Sequence, residues 1–441
     1  VTMTLNASQS PSKITFLNLW RQFIPLSLSD VAMACGDPMM TTTLAHLPDT
    51  RVNLAALGIA KSLAIFFESP IITILHASNA LAPMERSRRA LWRFTLLAGG
   101  GLSALLLLLT LPFVFATLGG TLLGIASQLQ ETVRIVLTLM ILWPFAIAWR
   151  RYFQGLLIHA GHSQAVAFAS IARLVIVAVV LLVGFTLKVA GALLAGTALI
   201  AGVVLEAVIV TWAARRLGAT RPPRPTDSVQ NLPTNLKSVW KFYWPLACSM
   251  LVLWGGRAVL VGIIARAQDA DIALAAWPAA WGLVLVIANA TRMVQQVIIK
   301  NRGLVTDRQL IAFALSVGML CSLLLLLSST TPFGLIVVQS FVGNDSALVE
   351  GIRPVLLLCA VVPLLVAAQN ATQGFLVGSG QTRGVNRATW IGTTILLLGA
   401  FLGVQLGVPG AIAAATAMII ALISEVSCLA FNFSKQSSSV S

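Results

Sequence analysis

Apolar windows of about 20 residues, the length that crosses a bilayer core, recur along the whole chain. Twelve can be counted, at 20–45, 54–79, 90–116, 131–157, 164–188, 191–213, 240–265, 272–298, 306–330, 350–376, 386–404 and 409–434. The division between the fifth and sixth is the shallowest. Their number and length place the chain outside ordinary soluble proteins and predict an all-α polytopic membrane protein.

The only long polar stretch, "RRLGATRPPRPTDSVQNLPTNLKSVW", carries four prolines and separates six predicted spans from six more. Residues 1–19 are read as an N-terminal segment, 20–213 as a first lobe, 214–239 as a linker, 240–434 as a second lobe and 435–441 as a tail. Short stretches repeat across the linker. Pro25 in "WRQFIPLSL" aligns with Pro245 in "KFYWPLACS", Gln154-Gly155 with Gln373-Gly374, and Glu206 with Glu425, at spacings of 220, 219 and 219 residues. An even number of spans per repeat sets both halves in the same sense across the membrane. The expected relation is a pseudo-twofold axis along the membrane normal with a cleft between the lobes. Pro25, Pro38, Pro70, Pro144, Pro245, Pro278 and Pro363 fall inside or near spans and predict kinks.

Composition sharpens the membrane reading. The 441 residues are 58% hydrophobic and 10% charged, with a mean hydropathy of +0.90. The net charge of +15 is spread over short loops: Arg86, Arg88 and Arg89; Arg150 and Arg151; Arg215 to Lys241; Lys300 to Arg308; Arg383 and Arg387. Alternate loops hold little beyond Arg51, Lys188 and Arg266. The positive-inside bias predicts cytoplasmic termini and a plasma (inner) membrane location. Lipid headgroups account for the charge without nucleic acid. The N-terminus has no cleavage pattern, so the first span is expected to be retained. Cys35, Cys248, Cys321, Cys359 and Cys428 lack CxxC spacing, and the histidines lack i,i+4 pairing, so neither a metal site nor a disulfide framework is predicted. No phosphate-binding loop and no HExxH motif is present. The chain reads as a non-enzyme without a cofactor.

"FIPLSLSDVAMACGDP", "LAALGIAKSLAIFFESPI" (54–71), "YWPLACSMLVLWGGRAVLVGIIAR" (243–266) and "GFLVGSGQTR" resemble the progressive ankylosis family of the multidrug, oligosaccharidyl-lipid and polysaccharide exporter superfamily. More distantly they resemble the multidrug and toxic compound extrusion transporters. The resemblance implies a V-shaped pair of six-helix lobes, export by alternating access, and coupling to a proton or sodium ion. For the ankylosis branch it implies anionic cargo such as pyrophosphate, nucleotide or citrate.

Charged residues within spans are costly and therefore candidate chemistry. Asp30 and Asp37 lie two turns apart on one face of the first span. Asp37, between Gly36 and Pro38, is the first candidate for cation coupling, with Glu68 and Asp30 beside it; a static network with Lys61 or arginines is the bland reading. Glu206 and Glu425 are expected to be gating or structural acids that latch loop arginines. Arg257 and then Arg173 are the candidate substrate cations, since the guanidinium fork matches carboxylate and phosphate. Gln154, Gln373 and Asn370 are polar donors toward a cleft or between helices. Arg134 and Arg292 are expected to snorkel.

The preferred function is secondary active export of a small organic anion by a chain that works as a monomer. The alternatives are a multidrug or cation antiporter, a lipid-linked precursor flippase, and a non-transporting scaffold or receptor.

Overall fold

The computed structural model describes residues 15–118, 127–221, 232–332, 336 and 346–440, which are almost entirely helical. The first half comprises α1 (Phe16–Ala45), α2 (Thr50–Glu68), α3 (Ile74–Leu81), α4 (Glu85–Thr110), α5 (Pro112–Thr117), α6 (Ser127–Leu139), α7 (Trp143–His159), α8 (Ser163–Thr186) and α9 (Gly191–Arg216). The second comprises α10 (Leu236–Ile264), α11 (Ala270–Ala288), α12 (Val294–Asn301), α13 (Asp307–Thr330), α14 (Ser346–Leu358), α15 (Val362–Gly378), α16 (Thr382–Gln405) and α17 (Gly410–Val440). Residues 222–231 of the linker lie outside the described residues, as do residues 1–14. Helix α1 begins four residues before the predicted span, and α17 continues through the predicted tail to Val440.

Among the described residues, ten helical segments are long and apolar enough to cross a membrane. The first two predicted spans, on α1 and on α2 with α3, are not among them. Arg21, Asp30 and Asp37 on α1, and Arg51, Lys61 and Glu68 on α2, dilute their hydropathy. Large apolar side chains such as Leu97, Phe113, Leu182, Leu402 and Leu406 are exposed on the outside, as lipid contact requires.

Several predicted spans are broken where the backbone chemistry demands it. Pro70 sits in the turn between α2 and α3. Leu111 leaves the helical region at ψ 133° because Pro112 follows it. Pro144 and Pro363 occupy the first turns of α7 and α15, where a missing N–H is harmless. Pro245, in contrast, lies inside unbroken α10. The shallow fifth division falls at Lys188, in left-handed conformation at φ 55°. There Val189 N–H closes on Gly184 O at 2.9 Å and ends α8.

The halves repeat one another in three dimensions. Gly99 crosses Ala148 so closely that a Cβ would lie 2.9 Å from the alanine methyl, and Gly318 crosses Ala367 with 2.8 Å. Ser103 Oγ accepts from Phe145 N–H at 3.1 Å, and Ser322 Oγ from Leu364 N–H at 3.0 Å. Lys188 corresponds to Gly407, which has the same backbone sign at φ +79°. Each pair is separated by 219 residues.

Links between the halves gather at one end, that of the arginine-rich loops. Tyr243 Oη donates to Pro70 O at 2.6 Å and accepts from Thr73 Oγ1 at 2.9 Å. Asn79 Nδ2 donates to Gln296 Oε1 at 2.9 Å, and Asn301 Nδ2 to Gln22 Oε1 at 3.0 Å. Trp20 and Phe23 meet the Phe313 ring edge to face, with centroids 5.7 and 5.6 Å away. One buried apolar cluster spans both halves here, whereas a second is confined to residues 260–422 of the second half. These hydrogen bonds and ring contacts between the halves all fall at this one end.

Candidate functional site

Helix α7 places Arg150 and Gln154 one turn apart on a shared face, and both reach Glu206 on α9. Arg150 Nη1 donates to Glu206 Oε2, and Gln154 Nε2 donates to Oε1 at 2.9 Å. From α8, Ser170 Oγ donates to Oε1 at 3.1 Å, and Arg173 Nη1 to Oε2 at 3.3 Å. Ser29 Oγ of α1 lies 2.6 Å from Ser170 Oγ and extends the network to the first helix. Glu206 is fully buried and Arg150 is 1% exposed. A charge so deep is tolerated only because opposite charge and hydrogen bonds surround it. Glu206 is thus a buried hub.

Arg150 and Arg151, counted in sequence with the loop arginines, are buried within α7. Charge patterning along the chain does not distinguish a span end from a helix that carries its cations inward. Arg173 is held by the Glu206 pair and lies 5.8 Å from the Trp143 ring centre.

Asp30 adjoins this hub. Its Oδ2 is buried without a hydrogen-bond partner, and its charged neighbours are Arg292, Arg151, Arg150 and Glu206. Glu68, half-buried at the end of α2, acts electrostatically on Arg151 and Arg173. Asp37 lies on α1, but its side chain falls outside the described residues. Arg134 forms an ion pair with Glu131 at 2.6 Å within α6.

The second half carries the same hub with different charges. Glu425 on α17 accepts from Thr389 Oγ1 at 3.1 Å and from Gln373 Nε2 at 3.4 Å, and Gln369 also bonds to its side chain. Thr389 stands 219 residues after Ser170, and Gln373 stands 219 after Gln154. Gln369 replaces Arg150, Asn370 replaces Arg151, and Gly392 replaces Arg173. A Cβ at Gly392 would lie 2.9 Å from Glu425 Oε2, so the carboxylate fills the space vacated by the arginine. Among the described residues, Glu425 has no ion pair. The expected latch to a loop arginine is therefore not formed. Asn370 Nδ2 donates to Val366 O of its own helix at 2.8 Å.

Arg257 on α10 has a buried Nε without a hydrogen-bond partner and lies 5.1 Å from the Trp254 ring centre. Its charged neighbour is another cation, Arg292. Arg292 is exposed in the 3-10 turn Asn289–Met293, which interrupts the eighth predicted span. Neither arginine has an ion pair among the described residues. Ser29, Ser170 and Thr389 were missed in the sequence, although extending the 219-residue spacing would have aligned the last two. Among the described residues no group of three or more His, Cys, Asp or Glu is placed to hold a metal ion.

The fold is shared with solved transporters of the exporter superfamily. A transporter of that superfamily from Pyrococcus furiosus superimposes with a TM-score of 0.78 at 14% identity, over 98% of this chain and 99% of its own. An outward-facing multidrug resistance transporter of the multidrug and toxic compound extrusion (MATE) family gives the same score, identity and coverage. A Vibrio cholerae MATE transporter gives 0.77 at 15% identity, over 95% and 97%. The progressive ankylosis protein family matches residues 7–253, more than half of the chain, and this protein belongs to that family. No curated protein matches it.

Proposed function

We propose that the protein is a secondary active exporter of a small organic anion, working by alternating access between two lobes of six membrane-crossing segments. Helix α1 and the α2–α3 pair supply the two crossings beyond the ten apolar ones. The lobes are 20–213 and 240–434, with both termini cytoplasmic in the inner membrane. The linked, arginine-rich end then faces the cytoplasm, and the opposite end faces outward.

The observation that carries this reading is the pair Arg257 and Arg292, two neighbouring cations that form no ion pair among the described residues and have Asp30 as the acid acting on Arg292. An anion supplies the missing charge through the donor forks of the guanidiniums. Asp30, with Glu68 and Asp37, takes the coupling proton or sodium ion. The unpartnered Oδ2 of Asp30 supports that role. Coupling requires only that ion and solute differ in affinity between the two states. The Pyrococcus furiosus transporter is described as having a binding pocket of reversed polarity, which supports cargo of differing charge on this fold.

Counterflow in proteoliposomes with labelled citrate, pyrophosphate, nucleotide and a cationic dye tests the proposal. Anion exchange is expected, falling at least about tenfold in Arg257→Ala and Arg292→Ala, the loss of a charge-assisted hydrogen bond. Likeness in fold to multidrug transporters favours a second reading, cation or multidrug antiport. Exchange of the dye alone, unchanged by either substitution, would establish it instead.

A further inference from the structure

A cavity of roughly 780 Å³ opens on the outer side of the first half, between the start of α1, the start of α8 and the end of α9. It lies at the arginine-rich end, away from the Glu206 hub. Arg21 and Arg216 line it, and no acid among the described residues does. Ser163, the first residue of α8, also lines it and is only 3% exposed, yet its Oγ has no hydrogen-bond partner. The amino end of a 24-residue helix adds N–H groups and a positive dipole end. A third cation stands close, since a Cβ at Gly161 would lie 3.2 Å from Lys300 Nζ. Asn18, Gln22, His162 and Gln164 add polar groups to the lining, and its apolar part is outward-facing, with Phe168 64% and Trp212 57% exposed.

Cations and an unsatisfied hydroxyl beside exposed aromatic surface, at the end of membrane helices, match a molecule with a phosphate at one end and hydrocarbon at the other. We propose that this cavity binds an anionic phospholipid. Its phosphate rests on Arg21, Arg216 and the Ser163 end of α8, and its acyl chains lie over Phe168 and Trp212. The site holds α1, α8 and α9 together from the lipid side and does not depend on what the protein transports.

Native mass spectrometry of the detergent-purified full chain tests this with phosphatidylglycerol, phosphatidylcholine and inorganic phosphate. Phosphatidylglycerol is expected to bind in preference to phosphatidylcholine. Arg21→Ala/Arg216→Ala should weaken that binding about tenfold or more, while Arg308→Ala, another exposed cation, leaves it unchanged. Gln164→Glu provides an independent variant, because an acid in the first turn favours the helix but repels a phosphate; it should weaken binding too. Equal retention of both lipids, binding unaffected in the variants that fold, or displacement of phosphatidylglycerol by inorganic phosphate alone would each overturn the proposal. The last result would mark a free-anion site.

Discussion

Glu206 and Glu425 occupy matching positions in the two halves, yet two arginines hold the first while amides and a hydroxyl hold the second. The backbone has been duplicated and the charge has not.

Removal of Arg150 therefore has a larger effect than its pairing with Glu206 suggests, because Glu206 is left deep in the protein with Arg173 as its ion-pair partner. Arg150→Ala should destabilise the protein by roughly 3–5 kcal/mol. Thermal melting of the detergent-purified chain measures it, and Arg150→Ala/Glu206→Gln should regain part of the loss. An unchanged melting temperature would show that the hub contributes little.

Glu425→Gln retains an acceptor for Thr389 and strands no cation. Its stability cost should stay within about 1 kcal/mol, whereas Glu206→Gln should cost more because it leaves Arg150 and Arg173 unbalanced. Denaturation of both variants under identical conditions gives the ranking. The reverse order would contradict the assigned partners.

Tyr243→Phe deletes the hydroxyl that joins α10 to the Pro70 turn. At about 1 kcal/mol for each of the two hydrogen bonds, the populations should shift roughly tenfold or more toward separation of that end. Spin labels at Arg93 and Arg308, exposed on opposite halves, report the distance by pulsed electron resonance. A distribution identical to that of the unsubstituted hydroxyl would mean that other contacts hold the closure.

Gly99→Val and Gly318→Val should each cost roughly 1–3 kcal/mol, because both place new atoms against an alanine already in contact. Similar melting losses are expected from the two. A tolerated substitution in only one half would reveal a crossing that can relax there.

Much of this was legible in the chain. The length of the apolar runs placed the helices, and Pro144, Pro363 and Pro70 marked breaks because a missing N–H acts locally. The repeat was visible in Gln154 and Gln373 as well as in the two acids. Depth was not legible. Arg150 and Arg151 follow one another at the cytoplasmic-looking end of an apolar stretch, and only packing of α7 against α9 reveals that they point into protein. The same limit applies to Arg257, whose relation to Arg292 depends on how α10 meets the turn after α11.

The replacement of Arg150, Arg151 and Arg173 by Gln369, Asn370 and Gly392 has an outcome for motion. A proton or an anion arriving between the halves meets unlike electrical surroundings to its left and right, so the two bundles cannot respond to it as mirror partners. Whatever movement follows begins lopsided, with one bundle tied by buried ion pairs and the other, among the described residues, without them.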